Sequence, residues 1–229
     1  LLTFHRRGTF VSTAFNAGFA APGRPIGDIV TTDGTGVSEH ALALQAPTAL
    51  TRDLSDAVHV LCALHGAAPS IVELAIAARG GDEVQQWMHD AALAFDEERH
   101  ALAALTAAIG PQPSTPGQAE SAAAIVGQRH ALATLARSDR NGCALGAALA
   151  FLLDWHAVRP VLDAAAQRAG SGLPPATLPP AHEIIATAGR LSTEPGRARA
   201  MLFGAQQLIA QHRGLWHLLD ARASARNAH

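Results

Sequence analysis

Between Thr51 and Ala223 the chain is a series of long Ala- and Leu-rich stretches, each broken by Gly or Pro, and this punctuation restricts its fold more than any other feature. Apolar residues recur there at three- and four-residue intervals, the period of a helix with one buried face. Sparse Val and Ile disfavour sheet. The breaks predict helices over about 51–79, 82–109, 118–137, 139–169, 181–190 and 193–223. Thr51 and Asp53 are cap candidates for the first helix, Gly80-Gly81 ends it, and Pro69 kinks or splits it. Gly110-Pro111 stops the second, and Thr193-Glu194-Pro195 opens the last, with Pro in a tolerated first-turn position. Long helices joined by short polar links make an all-α bundle.

Residues 1–50 hold many Gly, Thr and Pro and no sustained helical period. They read as an irregular arm on a bundle domain spanning 51–223, with loop and turn over Pro25–Gly36 and a short extended piece at Asp28–Thr32. The tail, 224–229, is expected to fray. His5-Arg6-Arg7 followed by Gly8–Ala21 loosely imitates a signal peptide, yet Ser12, Thr13 and Asn16 make a poor hydrophobic centre, so a cytoplasmic protein is expected. The longest apolar run, Cys143–Leu153, stops at Asp154, short of the roughly 18 residues of a membrane span.

Charge narrows the partners. The net charge is −2, and all 17 basic residues are scattered Arg apart from the pair at Arg6-Arg7. Nucleic acids and anionic membranes require a concentrated basic surface, so neither is expected. The absence of Lys excludes a Schiff base or a P-loop. Cys62 and Cys143 lie in apolar stretches without CxxC spacing and read as buried reduced thiols. Ala-rich helical surfaces are compatible with a homodimer.

The sequence becomes informative about function when the helices are drawn as wheels of about 100° per residue. Leu54, Val58, Leu61, Val72 and Ile76 all fall within about 45° of His65, which therefore occupies the centre of the first apolar stripe. Cys143, Ala147, Ala150, Val158, Val161 and Ala165 surround Asp154 in the same way. Met201, Ala205, Leu208, Trp216 and Leu219 flank His212. A buried ionisable group without partners costs several kcal/mol or shifts its pKa until it is neutral. Three such residues on three helices imply that they satisfy one another or ligate a metal. Against that stands the ordinary alternative, a core His bonded to a backbone carbonyl and an Asp paired with an Arg.

The second helix carries Asp96-Glu97-Glu98-Arg99-His100. Glu97 and His100, three apart, share a face and could ligate one ion. The large apolar seam of Val84, Met88, Phe95, Leu102, Leu105 and Ile109 contains Glu98 instead. The Glu97/His100 face is lined by Leu93, Ala94, Ala101, Ala104 and Ala108, and a solvated charge run is the competing reading. Asp56 and His59 have ligand-like spacing but lie off the His65 stripe, and Trp87, Trp155 and Trp216 read as core or interface anchors.

Over Ala92–Leu102 these residues resemble the second helix of ferritin-like proteins, particularly rubrerythrin-type bundles. That resemblance implies a ferritin-like up-down helical bundle with additional short helices and an irregular N-terminal arm, and a di-metal centre to which the Glu of a Glu-x-x-His pair contributes. This chain departs from the pattern: the first helix offers His65, the fourth Asp154, and the last only Gln211-His212. A ligand set of His65, Glu97, His100, Asp154 and His212 suits one Fe, Mn or Zn ion better than a carboxylate-bridged pair. The leading expectation is a transition metal held in the bundle core, with oxidoreductase chemistry attached to it. The alternatives are a metal-free structural or interaction module and a small-molecule pocket between helices without metal.

Overall fold

In the computed structural model, residues 24–76 and 82–228 are described. Among them the chain forms α1 (Arg24–Asp33), a 3-10 turn (Thr35–Val37), α2 (Glu39–Leu44), α3 (Thr51–His65), α4 (Ile71–Ile76), α5 (Asp82–Ala108), α6 (Gln118–Ala136), α7 (Cys143–Arg168), α8 (Ala181–Leu191) and α9 (Pro195–Asn227). No strand occurs among the described residues, so the fold is all-α, as the periodicity implies.

The organising element is α7. From Cys143 to Trp155 every residue is buried, because this helix runs through the middle of the bundle with α9, α4, α3, α8 and α1 packed around it. It is long and apolar enough to cross a membrane, contrary to the expectation from its apolar run, but 78% of its apolar window lies inside the bundle. Its most extensive partner is α9, and two glycines set how closely they approach. A Cβ at Gly146 would collide with the Met201 backbone of α9, and one at Gly204 with the Cys143 carbonyl of α7.

The long first helix is split at Pro69. α3 ends at His65, a cis Ala68–Pro69 peptide follows, and a capping box restarts the chain as α4. Ser70 Oγ accepts from Glu73 N (3.3 Å), while Ser70 N donates to Glu73 Oε2 (2.6 Å). This break leaves His65 at the last turn of a helix, beside open space, instead of in the middle of a continuous rod. The Gly80-Gly81 stop and the signal-like stretch at 8–21 lie outside the described residues.

Two boundaries differ from expectation. The arm is helical over much of 24–44, and Asp28–Thr32, expected to be extended, belongs to α1. Thr31 and Thr32 hydroxyls donate to the carbonyls four residues back, Gly27 (2.8 Å) and Asp28 (2.9 Å), which accommodates β-branched residues in a helix that Ile26 anchors in the core. At the other end, α9 continues to Asn227 instead of fraying after 223. Arg222 and Arg226, one turn apart, pair with the buried Asp56 and Asp53 of α3 at 2.5–2.9 Å and hold the terminus down.

Candidate functional site

His65, Asp154 and His212 meet. Three helices bring them together: the C-terminal turn of α3, the centre of α7 and the centre of α9. Asp154 is fully buried and His212 is 1% exposed. His212 Nδ1 bonds Asp154 Oδ2 at 2.6 Å, which sets the ring's orientation. The His65 and His212 rings lie edge to face with centroids 5.0 Å apart. Phe151 and Trp155 pack on His65 at 5.1 and 5.7 Å, and Phe95 packs on both, so an aromatic wall closes the cluster.

The carboxylate's remaining capacity is taken by a residue from the N-terminal arm. Thr35 donates its backbone N–H to Asp154 Oδ1 (2.7 Å) and its hydroxyl to Oδ2 (2.6 Å). Trp216 Nε1 in turn donates to Thr35 Oγ1 (2.8 Å). A continuous chain thus runs from Trp216 through Thr35 and Asp154 to His212, with His65 packed at its end. Gly34 makes it feasible, because a Cβ there would strike Asp154 Oδ1 and the Val30 carbonyl. Neither Gly34 nor Thr35 has a periodicity signal, and both fall in the stretch that reads as loop. The sole sequence hint is a Thr between two glycines, Gly34-Thr35-Gly36.

His65 and His212 each retain a buried Nε2 with no hydrogen-bond partner among the described residues. Burial holds the pKa of His65 well below the ordinary imidazole value, and the neighbouring His212 adds to the effect electrostatically. His65 is therefore neutral at pH 7. It also lies on the wall of a cleft of about 150 Å³ lined by Leu64, Leu74, Phe95, Leu132, Ala133 and Phe151, among others, with Arg129 of α6. The cluster is thus reached from outside at His65, whereas His212 and Asp154 stand behind it.

Glu97 and His100 do not join the cluster. Both are exposed on the outer face of α5; the His100 side chain is 77% exposed, and Glu97 accepts from the Thr177 hydroxyl at 2.9 Å. The apolar seam decides the matter by turning Glu98 inward. Glu98, 3% exposed, accepts from Trp155 Nε1 (3.1 Å) and from an Arg159 guanidinium N–H (2.5 Å). Arg99 bridges Asp96 and Glu73, tying α5 to α4. The Asp96–His100 run is therefore a hub of ion pairs between helices. Asp56, which the wheel puts off the stripe, is buried too, since α9 covers that side of α3 with arginines.

These placements test the metal expectation. A di-metal centre of the ferritin-like kind needs several free carboxylates. Glu97 points away, and both oxygens of Asp154 are engaged by Thr35 and His212. No group of three or more His, Cys, Asp or Glu suited to a metal ion occurs among the described residues. The side chains present do not fit that centre. They supply two imidazoles and one carboxylate that orients, rather than ligates.

No curated protein and no solved structure matches the chain. Residues 30–227 match the profile of a family, and that range takes in Thr35, His65, Asp154, His212 and Trp216, every residue of the cluster. The chain belongs to DUF6975, a family of unknown function.

Proposed function

We propose that this protein binds a small organic molecule in the cleft between α3, α4 and α6, with the neutral His65 imidazole as its polar contact. The observation that carries this reading is a cleft with the desolvated His65 imidazole in its wall, the Nε2 of that ring buried beneath the surface and bonding nothing among the described residues. A buried polar atom left unpaired costs about 1–3 kcal/mol, so a ligand toward which the His65 ring turns its Nε2 regains that penalty. Mostly apolar walls with one or two placed polar groups are the usual make-up of a small-molecule site. The Asp154–His212 pair behind His65 fixes the ring against which it packs.

The test is thermal melting with a panel of ring-sized molecules carrying one polar group, on the wild type and on Ala133→Phe, which fills the cleft. A ligand at 100 times its Kd stabilises by about 2.7 kcal/mol, which raises the Tm of a domain this size by roughly 5–10 °C. The shift should vanish in Ala133→Phe. No shift in the wild type with any member of the panel, or an equal shift in both proteins, would refute the proposal.

A second reading is favoured by the two buried Nε2 atoms without a hydrogen-bond partner among the described residues, on rings that are in contact. Two imidazoles bound through Nε2 to one tetrahedral ion with metal–nitrogen bonds of about 2.0–2.1 Å have centroids roughly 5 Å apart. The observed separation is 5.0 Å, and an imidazole backed by a carboxylate is a common metal ligand. One Fe, Mn or Zn ion would then take its other ligands from solvent or from a molecule in the cleft, and the oxidoreductase expectation rests on this reading. Elemental analysis of protein purified without chelator or affinity metal decides it. Stoichiometric metal that is lost in His65→Ala and His212→Ala supports the ion, and a metal content below one tenth per chain overturns it.

A further inference from the structure

Resting on the small-molecule reading, we infer that the ligand of the His65 cleft is a monocarboxylate with an apolar body about the size of a benzene ring, its carboxylate held by Arg129. Size comes first. The cleft measures about 150 Å³, and a protein cavity of about that volume accommodates benzene. Leu64, Leu74, Phe95, Leu132 and Phe151 offer the body apolar contact and no hydrogen bonds.

The charge follows from what lines the space. Among the described residues Arg129 is the cleft's one charged lining residue, since His65 is neutral. It also borders the adjacent cleft formed with His59, Gln112 and Arg222, and among the described residues neither cleft has an Asp or Glu on its walls. Among the described residues no carboxylate pairs with Arg129, whereas Arg99, Arg159, Arg222 and Arg226 all hold buried or half-buried acids. A guanidinium beside an apolar hollow selects a planar anion through two parallel N–H bonds. One guanidinium neutralises one negative charge. A phosphate monoester, carrying nearly two, would leave net charge against apolar walls.

The experiment is isothermal titration of the full chain at low salt with benzoate, benzyl alcohol and phenyl phosphate, using the wild type and Arg129→Gln. Arg129 is exposed, so the substitution should leave the Tm unchanged. Benzoate should bind the wild type more tightly than either other probe. Arg129→Gln should weaken benzoate about tenfold or more while leaving benzyl alcohol unaffected, as expected for loss of a charge-assisted bond. If benzyl alcohol binds as well as benzoate and Arg129→Gln changes neither, the carboxylate inference fails and the small-molecule reading stands. If phenyl phosphate binds best, the inference fails on charge. If none of the three binds the wild type and the wider panel is also silent, both fall together.

Discussion

Replacing Asp154 by Ala removes a carboxylate that receives three hydrogen bonds at 2.6–2.7 Å within a fully buried site. The Thr35 N–H, the Thr35 hydroxyl and His212 Nδ1 lose their acceptor together. Each buried donor left without one costs about 1–3 kcal/mol. Relief from burying a charge offsets part of the sum, and breaking comparable buried pairs costs about 3–5 kcal/mol in total. We expect Asp154→Ala to lose about that much stability, a large fraction of the 5–15 kcal/mol typical of a domain. Asp154→Asn has the same shape. Its carbonyl can still accept from the Thr35 N–H and its amide can donate to Thr35 Oγ1, so the Thr35 hydroxyl proton and His212 Nδ1–H lose the oxygen they share but no carboxylate-sized gap opens, at a cost of about 1–3 kcal/mol. Urea unfolding followed by tryptophan fluorescence reads both variants, because Trp155 and Trp216 flank the cluster. An Asp154→Ala protein within 1 kcal/mol of wild type, or an Asn variant as damaged as the Ala variant, would refute the hydrogen-bond accounting.

Three further outcomes are expected. His65 and His40 are both depressed below 6.5 by burial, so the unfolded chain binds more protons than the native one in acid; stability is complete above pH 6.5 and falls below it by up to about 1.4 kcal/mol per pH unit for each group. Denaturant titrations between pH 7 and 5 should show a shallower fall in His65→Leu, and an unchanged slope would remove His65 as its source. Arg222→Met leaves Asp56 buried with fewer partners and should cost about 3–5 kcal/mol, measured as a urea midpoint shift; a loss under 1 kcal/mol would mean that Arg226 and Gln112 suffice to satisfy it. The double variant Glu97→Ala/His100→Ala removes exposed side chains and should change stability by less than about 1 kcal/mol, with no effect on ligand or metal content.

The segment 92–102 shows why a motif and a wheel can point in opposite directions. Glu97 and His100 have ligand spacing, but spacing fixes only which residues share a face, not which face the bundle covers. The apolar seam with Glu98 carries that information, because burying Phe95, Leu102 and Leu105 outweighs any local preference of the charged run. The same logic makes the convergence of His65, Asp154 and His212 legible in advance. Each sits at the centre of a strong apolar stripe, and an ionisable group in that position must find company.

What the sequence determined by itself was the periodic part: helices from Thr51 onward, their breaks at Gly and Pro, and the three inward-facing titratable residues. What tertiary structure alone decided was everything that depends on a distant partner. Thr35 completes the cluster only because α1 and the 3-10 turn dock on α7 and α9, 119 residues downstream of it in the case of Asp154. Asp56 is buried only because α9 lays Arg222 and Arg226 over it. A helical period records the side of a helix that avoids water, and so it reports burial. It carries no record of which polar group waits on the other side, since a hydrogen bond is specified by two positions and each sequence window shows one.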